Sequence, residues 1–141
     1  MTAHEKIKIY CDGGSRGNPG PAASGVVFLS MNDEVLASFH EYLGVTTNNQ
    51  AEYRAVVLAL RKMKEMGYQA ADFYLDSELV VRQLTGRYKV KNPDLRPIYE
   101  HIIAETTAMD VSFTHVLRAL NKLADEQVNI CLDNLDKNAQ K

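Results

Sequence analysis

Residues 10–21 read YCDGGSRGNPGP. From residue 7 into the start of this stretch, apolar side chains occupy every second position, at Ile7, Ile9 and Cys11. This period-2 pattern predicts a β-strand from Lys6 to Asp12. Four glycines and two prolines occur in the next nine residues, so we predict a turn-rich loop from Gly13 to Pro21. Asp12 is therefore expected at the carboxyl end of the first strand.

The rest of the chain continues as two more strands and then as an alternation of helices and strands. Further strands are predicted at residues 24–30, 34–43, 71–75 and 111–116. A first helix is predicted to follow the cap residues 46–49 and to end at Gly67, and a second to run from a Ser77 cap to Leu84. A third is predicted from Pro93 or Pro97 to about Met109, and a last from Asn121 to Leu135. Three strands joined by short turns form an antiparallel meander, to which β-α units add further strands. We therefore predict an α/β fold with a five-stranded mixed sheet flanked by helices.

The composition is that of one globular domain, with 141 residues, 45% hydrophobic and 24% charged. We expect a single domain over residues 1–141, with its core at about 6–134 and a polar tail at 136–141. Cys11 and Cys131 belong to no CxxC or Cys/His cluster, which argues against a zinc site and for a reducing compartment. Because the sequence has no signal peptide and no apolar stretch of membrane length, we expect a cytoplasmic protein.

The net charge of −2 argues mildly against a nucleic-acid partner, because such proteins usually carry a basic surplus. Local charge differs from this average. Between residues 82 and 96 lie five cations and a single acid, Asp94. The remainder of the chain is correspondingly acidic, and bound metal ions would neutralise part of that charge.

Four acids stand at the edges of predicted elements: Asp12, Glu52, Asp76 and Asp125. Each one alone is explained by a turn, a helix start or a helix cap. As a set, acids at strand ends and helix starts can converge on one corner of such a sheet, beyond the strand ends, where ligands bind in folds of this kind. Clustered carboxylates repel one another unless divalent cations lie between them. Oxygen ligands without cysteine favour Mg²⁺ or Mn²⁺ over zinc.

Four motifs resemble those of the ribonuclease H type I family, in the same order and over nearly the whole chain. Residues 10–21 resemble the first motif, residues 47–52 (TNNQAE) the second and residues 76–84 (DSELVVRQL) the third. The fourth is similar at His115, Arg118, Asn121, Ala124 and Asp125. The chain most resembles the compact bacterial and archaeal form, which lacks a basic protrusion. The resemblance implies the ribonuclease H-like fold, in which the fourth and fifth strands run parallel to the first.

The resemblance also implies an activity, namely endonucleolytic hydrolysis of the RNA strand of RNA/DNA hybrids by a two-metal-ion mechanism. Asp12 would bridge two Mg²⁺ ions, Glu52 and Asp76 would complete one metal site, and Asp125 would serve the other. Mn²⁺ is expected to substitute for Mg²⁺. A metal-activated water would attack the phosphate and leave 5′-phosphate and 3′-hydroxyl ends. His115 matches a histidine credited with proton transfer or product release, although a lone histidine after a strand is often structural.

The resemblance indicates a monomer that binds the RNA/DNA hybrid, with double-stranded RNA as a second candidate ligand. It implies substrate contacts at three places in the chain. The loops would use Gly13, Gly14, Asn18, Thr47, Asn48 and Asn49. Capping is the alternative for the asparagines. Glu78 would contact substrate near the metals, unless it is an ordinary helix-start acid. Arg82, Lys89 and Lys91 would bind phosphates, and a solvated basic face is the alternative.

Two departures from the family pattern are visible. The chain reaches Asn92 within a few residues of Leu84, so the basic insertion of some relatives is missing, which argues against tight binding without a partner. Leu117 and Ala119 replace a proline and a glutamate that are common in the compact form.

Three competing functions stay open from the residues alone. The first is a catalytically weak hybrid- or double-stranded-RNA-binding module on the same fold. The second is an exonuclease or strand-transfer enzyme, although those relatives lack the residue 12–20 loop. The third is a metal-dependent phosphatase acting on small phosphate esters, which fold alone does not exclude.

Overall fold

Five strands form one mixed sheet in the computed structural model, which describes residues 5–139. In chain order the strands are β1 (Ile7–Ser15), β2 (Gly20–Leu29), β3 (Val35–Thr46), β4 (Ala70–Leu75) and β5 (Asp110–His115). Their order across the sheet is β3-β2-β1-β4-β5. The first three strands pair antiparallel, whereas β4 is parallel to β1 and β5 is parallel to β4. The predicted fold class, including the meander and the parallel strands, is confirmed.

The first hairpin differs from its prediction, because the loop is much shorter than Gly13–Pro21. The strand pairing continues through Gly13↔Ser24 and Gly14↔Ala23 to Ser15↔Ala22. Small side chains at these positions allow the paired backbones to continue where the glycine pattern indicated a break. Only residues 16–19 connect the strands, and Gly17 turns the chain there with a φ of 92°.

Within residues 5–139, four helices and one 3₁₀ turn complete the fold. They are α1 (Asn48–Met66), α2 (Glu78–Leu84), α3 (Arg96–Thr106) and α4 (Lys122–Ala139), with the 3₁₀ turn at Arg118–Leu120. The predicted caps are confirmed for two of them, since Thr47 Oγ1 accepts from Gln50 N at 3.2 Å and Ser77 Oγ accepts from Val80 N at 3.3 Å.

Two helix ends were predicted wrongly. The third helix ends at Thr106 rather than near Met109. The last helix continues to Ala139, so the predicted tail at 136–141 is helical up to that residue. No glycine or proline follows Leu135 that would end the helix there. The side chains of 136–139, all of residues 140–141 and all of residues 1–4 lie outside the described part of the chain.

The two long helices pack on opposite faces of the sheet. Val26 and Phe28 of β2 belong to the main core, which also contains the buried side chains of α1. Ala23, whose side chain points to the other face of β2, packs with Val128, Cys131 and Leu132 of α4. Between residues 5 and 139, no helix is both long enough and apolar enough to cross a membrane.

Candidate active site

Asp12 and Asp76 meet because β1 and β4 are parallel neighbours. Cys11 pairs with Leu75 across the two strands, so the next residue of each strand reaches the same edge of the sheet. Asp12 is 2% exposed, and Asp76 is partly buried. The fold therefore brings two acids together that are 64 positions apart in the sequence.

Glu52 reaches the same edge because α1 lies unusually close to β1. A Cβ atom on Gly13 would lie 2.1 Å from the carbonyl carbon of Ala51, so only glycine permits this approach. Ser24 Oγ of β2 also donates to the carbonyl oxygen of Ala51 at 2.8 Å. The backbone N–H of Gly13 then donates to the Glu52 carboxylate. Gly13 is thus buried against the helix and has a packing role next to the site.

The three acids form one compact cluster. Asp12, Glu52 and Asp76 each offer an oxygen, and these oxygens all lie within 4.8 Å of one another. Burial, followed by the charge of Asp76, raises the pKa of Asp12 to about 7. Burial, followed by the charge of Asp12, raises the pKa of Glu52 well above its usual value. The cluster therefore holds negative charge at a clear electrostatic cost.

The donor set fits a hard divalent cation. Asp12 Oδ1 and Glu52 Oε2 are buried and accept no hydrogen bond from the residues that the structure describes. Buried carboxylate oxygens without donors are costly, and a cation would satisfy them. A set of carboxylate oxygens, with no cysteine sulfur and no group of histidines among the ligands, is the type that Mg²⁺ and Mn²⁺ prefer.

Asp125 and His115 lie beside this cluster but are not part of the three-residue group. Asp125 occupies the first turn of α4, and its carboxylate is close enough to raise the pKa of Asp12. His115 is the last residue of β5, paired with Leu75, and its side chain is exposed. The loop that follows His115 forms the 3₁₀ turn, with Leu117 68% exposed and Ala119 inside the turn.

The loop asparagines are fixed to each other. Asn48 N donates to Asn18 Oδ1 at 3.0 Å, and Asn48 Oδ1 accepts from both Ser15 N at 2.8 Å and Ser15 Oγ at 3.0 Å. The acceptor oxygens of both amides are therefore used inside the protein, while their NH₂ groups belong to exposed residues. Asn49 is exposed next to them, and Gly14 is half-buried on β1.

Two residues with clear roles in this geometry were missed in the sequence analysis as site residues. Ser15 fixes Asn48, and the fully buried Asn121 donates from Nδ2 to Cys11 O at 2.8 Å and to Asp76 Oδ2 at 3.0 Å. Both lie inside motif stretches. Nothing in the sequence indicates their partners, because those partners are 33, 45 and 110 positions away.

The basic residues predicted to contact phosphates differ in whether their side chains are already paired within the protein. Arg82 is paired with Glu78 at 2.7 Å and lies over the Tyr88 ring at 5.3 Å from its centroid. The Arg82 guanidinium accordingly holds the pKa of Glu78 below its usual value. Lys89 and Lys91 are exposed, and the segment is anchored by the buried Gln83, whose Nε2 donates to Lys89 O at 3.4 Å. A cavity of about 300 Å³ lies between α2 and β5, lined by Glu78, Arg82, Arg87 and His115 among others.

Comparisons with known proteins show which family this chain resembles. Residues 10–131 match the family model described as reverse transcriptase-like. The chain is 42% identical to ribonuclease HI of Halobacterium salinarum over 129 residues, which is 91% of this chain and 65% of that protein. It is also 42% identical to a bifunctional protein of Mycobacterium tuberculosis, of which it covers 36%.

A solved structure gives the same result in three dimensions. The crystal structure of LC11-RNase H1 in complex with an RNA/DNA hybrid superposes with a TM-score of 0.88 at 40% identity, covering 92% of this chain and 98% of that one. The chain thus spans about two thirds, or in the mycobacterial case about one third, of the curated relatives that it matches.

Proposed function

The chain belongs to the ribonuclease H type I family, and from that premise we propose that it hydrolyses the RNA strand of RNA/DNA hybrids with the help of divalent cations. One observation carries the proposal. Three carboxylate oxygens from distant parts of the chain lie within 4.8 Å of one another, and two of these residues keep a buried oxygen without a donor. A binding module would have no need for such a costly arrangement.

We assign the metal-binding roles to the four acids. Asp12, Glu52 and Asp76 would hold one Mg²⁺ or Mn²⁺ ion, and Asp125 together with Asp12 would hold a second. When bound, such ions supply an activated water and neutralise the charge that develops on the phosphate. The burial of Asp12 and Glu52 strengthens these electrostatic interactions, because little water remains to screen them.

Protons compete with metal at this site. Since Asp12 has a pKa of about 7 in the metal-free protein, its ionised form is favoured only above neutral pH or when a cation is present. The exposed imidazole of His115 is suited to carry a proton between the reacting groups and solvent. We therefore propose His115 as an accessory proton carrier.

Recognition of the hybrid is proposed to use the fixed amides. Asn18 and Asn48 have their oxygens bound internally, so they would offer N–H donors to the 2′-hydroxyl oxygens or base edges in the wide minor groove. Asn49 would add to this contact. Thr47 Oγ1 accepts a hydrogen bond from Gln50 N and keeps its own proton to donate to a phosphate. The hybrid bound to LC11-RNase H1 supports this class of ligand.

Lys89 and Lys91 are proposed to bind phosphates without reading sequence. Arg82 would do so only as part of its pair with Glu78. Double-stranded RNA is the second candidate ligand, because it shares the A-like geometry. We further propose that the protein acts as a monomer in the cytoplasm, where free cysteines such as Cys11 and Cys131 stay reduced.

The proposal is tested with four end-labelled substrates: RNA/DNA hybrid, double-stranded RNA, single-stranded RNA and duplex DNA. Each is incubated with Mg²⁺ or with EDTA. Cleavage of the RNA strand of the hybrid in Mg²⁺ alone, giving 5′-phosphate ends, is the expected result. Hybrid binding without cleavage would select the binding module instead. Cleavage of duplex DNA at a comparable rate would contradict the proposed substrate class.

A further inference from the structure

Asn121 is a fully buried amide to which the proposed chemistry gives no part. It lies between the 3₁₀ turn and α4, with a side chain that is 0% exposed. Its Nδ2 carries two hydrogens, which matches its two acceptors, Cys11 O at 2.8 Å and Asp76 Oδ2 at 3.0 Å. The side chain therefore bridges a backbone carbonyl and a carboxylate of the cluster.

This bridge joins three elements that carry acids of the site. Cys11 directly precedes Asp12 on β1, Asp76 directly follows β4, and Asn121 directly precedes α4 with its Asp125. Asn121 thus connects two strand ends to one helix start. The fourth acid, Glu52, is held separately through Gly13.

The side chain of Asn121 does not cap α4. A capping side chain would accept a helix N–H through its oxygen. Asn121 Oδ1 is buried and accepts no hydrogen bond from the described residues. Both of its side-chain hydrogen bonds point instead towards the strand ends, which indicates a role in the carboxylate cluster.

Asp76 is the acid of the cluster that the Asn121 amide contacts. It is only partly buried, and repulsion from Asp12 and Glu52 favours rotation of its carboxylate out towards solvent. We propose that Asn121 is a positioning residue, which holds Asp76 and the end of β1 in the metal-binding arrangement before a cation arrives. This inference rests on the proposed function for its meaning, but its test does not require cleavage.

The test is the affinity of the nucleic-acid-free protein for Mn²⁺, measured by calorimetry and by the EPR signal of free Mn²⁺. Asn121→Ala removes both donors, and its dissociation constant for Mn²⁺ is expected to rise about tenfold or more, as is common when a partner of a metal ligand is lost. Asn121→Ser keeps one donor and should fall between Asn121→Ala and wild type. If Asn121→Ala does not fold, Asn121→Ser carries the same test.

Kinetics give a second measurement that a purely structural role would not change. At limiting Mn²⁺, kcat on the hybrid should fall in both variants, and excess Mn²⁺ should restore part of it. The KM for the hybrid at saturating metal should stay at the wild-type value, because the fully buried Asn121 is not accessible to nucleic acid.

Two control variants each remove a side-chain hydrogen bond of the kind that Asn121→Ala removes, but outside the carboxylate cluster. Ser112→Ala removes a 2.8 Å hydrogen bond to Asp72, an aspartate of β4 outside the cluster. Gln83→Ala removes a buried amide that bonds Tyr53 and Lys89 O. Both should bind Mn²⁺ with wild-type affinity in the absence of nucleic acid.

The outcomes separate the two ideas. Wild-type Mn²⁺ affinity in a folded Asn121 variant, or an equal loss in Gln83→Ala, overturns the positioning role. A wild-type protein that binds no Mn²⁺ at all overturns it as well. If the Mn²⁺ affinity shifts as expected but wild-type protein leaves hybrids uncut, the positioning role stands and the proposed activity fails.

Discussion

At the residue scale, Asp12 bears on both the stability and the proposed chemistry of the site. It is 2% exposed, its Oδ1 accepts no hydrogen bond from described residues, and its pKa is raised to about 7. Asp72, on β4 but outside the cluster, shows the opposite situation, because its partners Ser112 and Lys6 outweigh the effect of burial and hold its pKa below the usual value. The same residue type is thus costly in one place and stabilised in the other.

Asp12→Asn is expected to abolish cleavage while the fold survives. Loss of a ligand to the metal ions should lower kcat at least about 1000-fold, since the ions supply several kcal/mol of transition-state stabilisation. Steady-state cleavage of the labelled hybrid measures this. Asp72→Asn is the matched control and should keep wild-type kcat. Wild-type turnover by folded Asp12→Asn would remove Asp12 from the chemistry.

Asp12 should also make the metal-free protein sensitive to pH. In the unfolded chain its carboxyl ionises near 3.8, whereas in the folded protein it ionises near 7. Between these values the unfolded state binds fewer protons, so the contribution of Asp12 to stability is present at low pH and is lost as pH rises. The full effect has an upper limit of about 4 kcal/mol.

The measurement is urea unfolding in EDTA from pH 4.5 to 8, for wild type and Asp12→Asn. The unfolding free energy of the variant, relative to wild type, should increase with pH and level off above about pH 7.5. Added Mg²⁺ should reduce this difference, because only wild type gains a bound cation. A difference that stays constant with pH in EDTA would show that burial does not raise the pKa of Asp12.

At the scale of elements, the position of α1 depends on the missing side chain of Gly13. Gly13→Ala places a Cβ 2.1 Å from the carbonyl carbon of Ala51, which forces the first turn of α1 and Glu52 away from β1. We expect a loss of about 1–3 kcal/mol in unfolding free energy, as for other overpacked sites, together with weaker Mn²⁺ binding. Urea unfolding and Mn²⁺ titration check both.

Gly14→Ala is the neighbouring control for stability. Its Cβ would meet only Val128 Cγ1 at 3.6 Å, an ordinary contact. Its unfolding free energy should therefore stay within about 1 kcal/mol of wild type, with stabilisation the more usual sign. If Gly13→Ala is equally harmless, the close contact between Gly13 and α1 does not determine the position of the helix, and this prediction is wrong.

The segment between α2 and α3 should contribute uniform phosphate binding. The double variant Lys89→Ala/Lys91→Ala is expected to raise KM for the hybrid several-fold at low salt, with kcat nearly unchanged. Lys62→Ala/Lys64→Ala changes net charge equally but lies on the later turns of α1, where both lysines pair with glutamates. An equal rise of KM in this control would show a general charge effect instead of a contact.

At the scale of the whole molecule, the sequence predicted the mixed sheet, and three of the four predicted acids, Asp12, Glu52 and Asp76, meet at one edge of it. Alternation at Ile7, Ile9 and Cys11 predicted β1, and the parallel neighbours β1 and β4 placed Asp12 and Asp76 at one edge. The glycine-rich stretch was misread as a long loop, because glycines that permit close packing look the same in sequence as glycines that permit turns.

The bridge made by Asn121 could not be predicted for a different reason. An asparagine before a helix is usually a cap, and its burial here depends on three elements that meet only in the folded chain. The long α4 raises the same difficulty, since the end of a helix without glycine or proline depends on packing as much as on local sequence.

The central claim is that carboxylates from β1, α1 and the end of β4 bind a divalent cation in common. Anomalous diffraction from crystals soaked in Mn²⁺ tests it most directly. The account predicts a manganese peak bonded to oxygens of Asp12, Glu52 and Asp76, which disappears in crystals of Asp12→Asn. A well-ordered cluster without any such peak at millimolar Mn²⁺, or a peak that persists in Asp12→Asn, would contradict it.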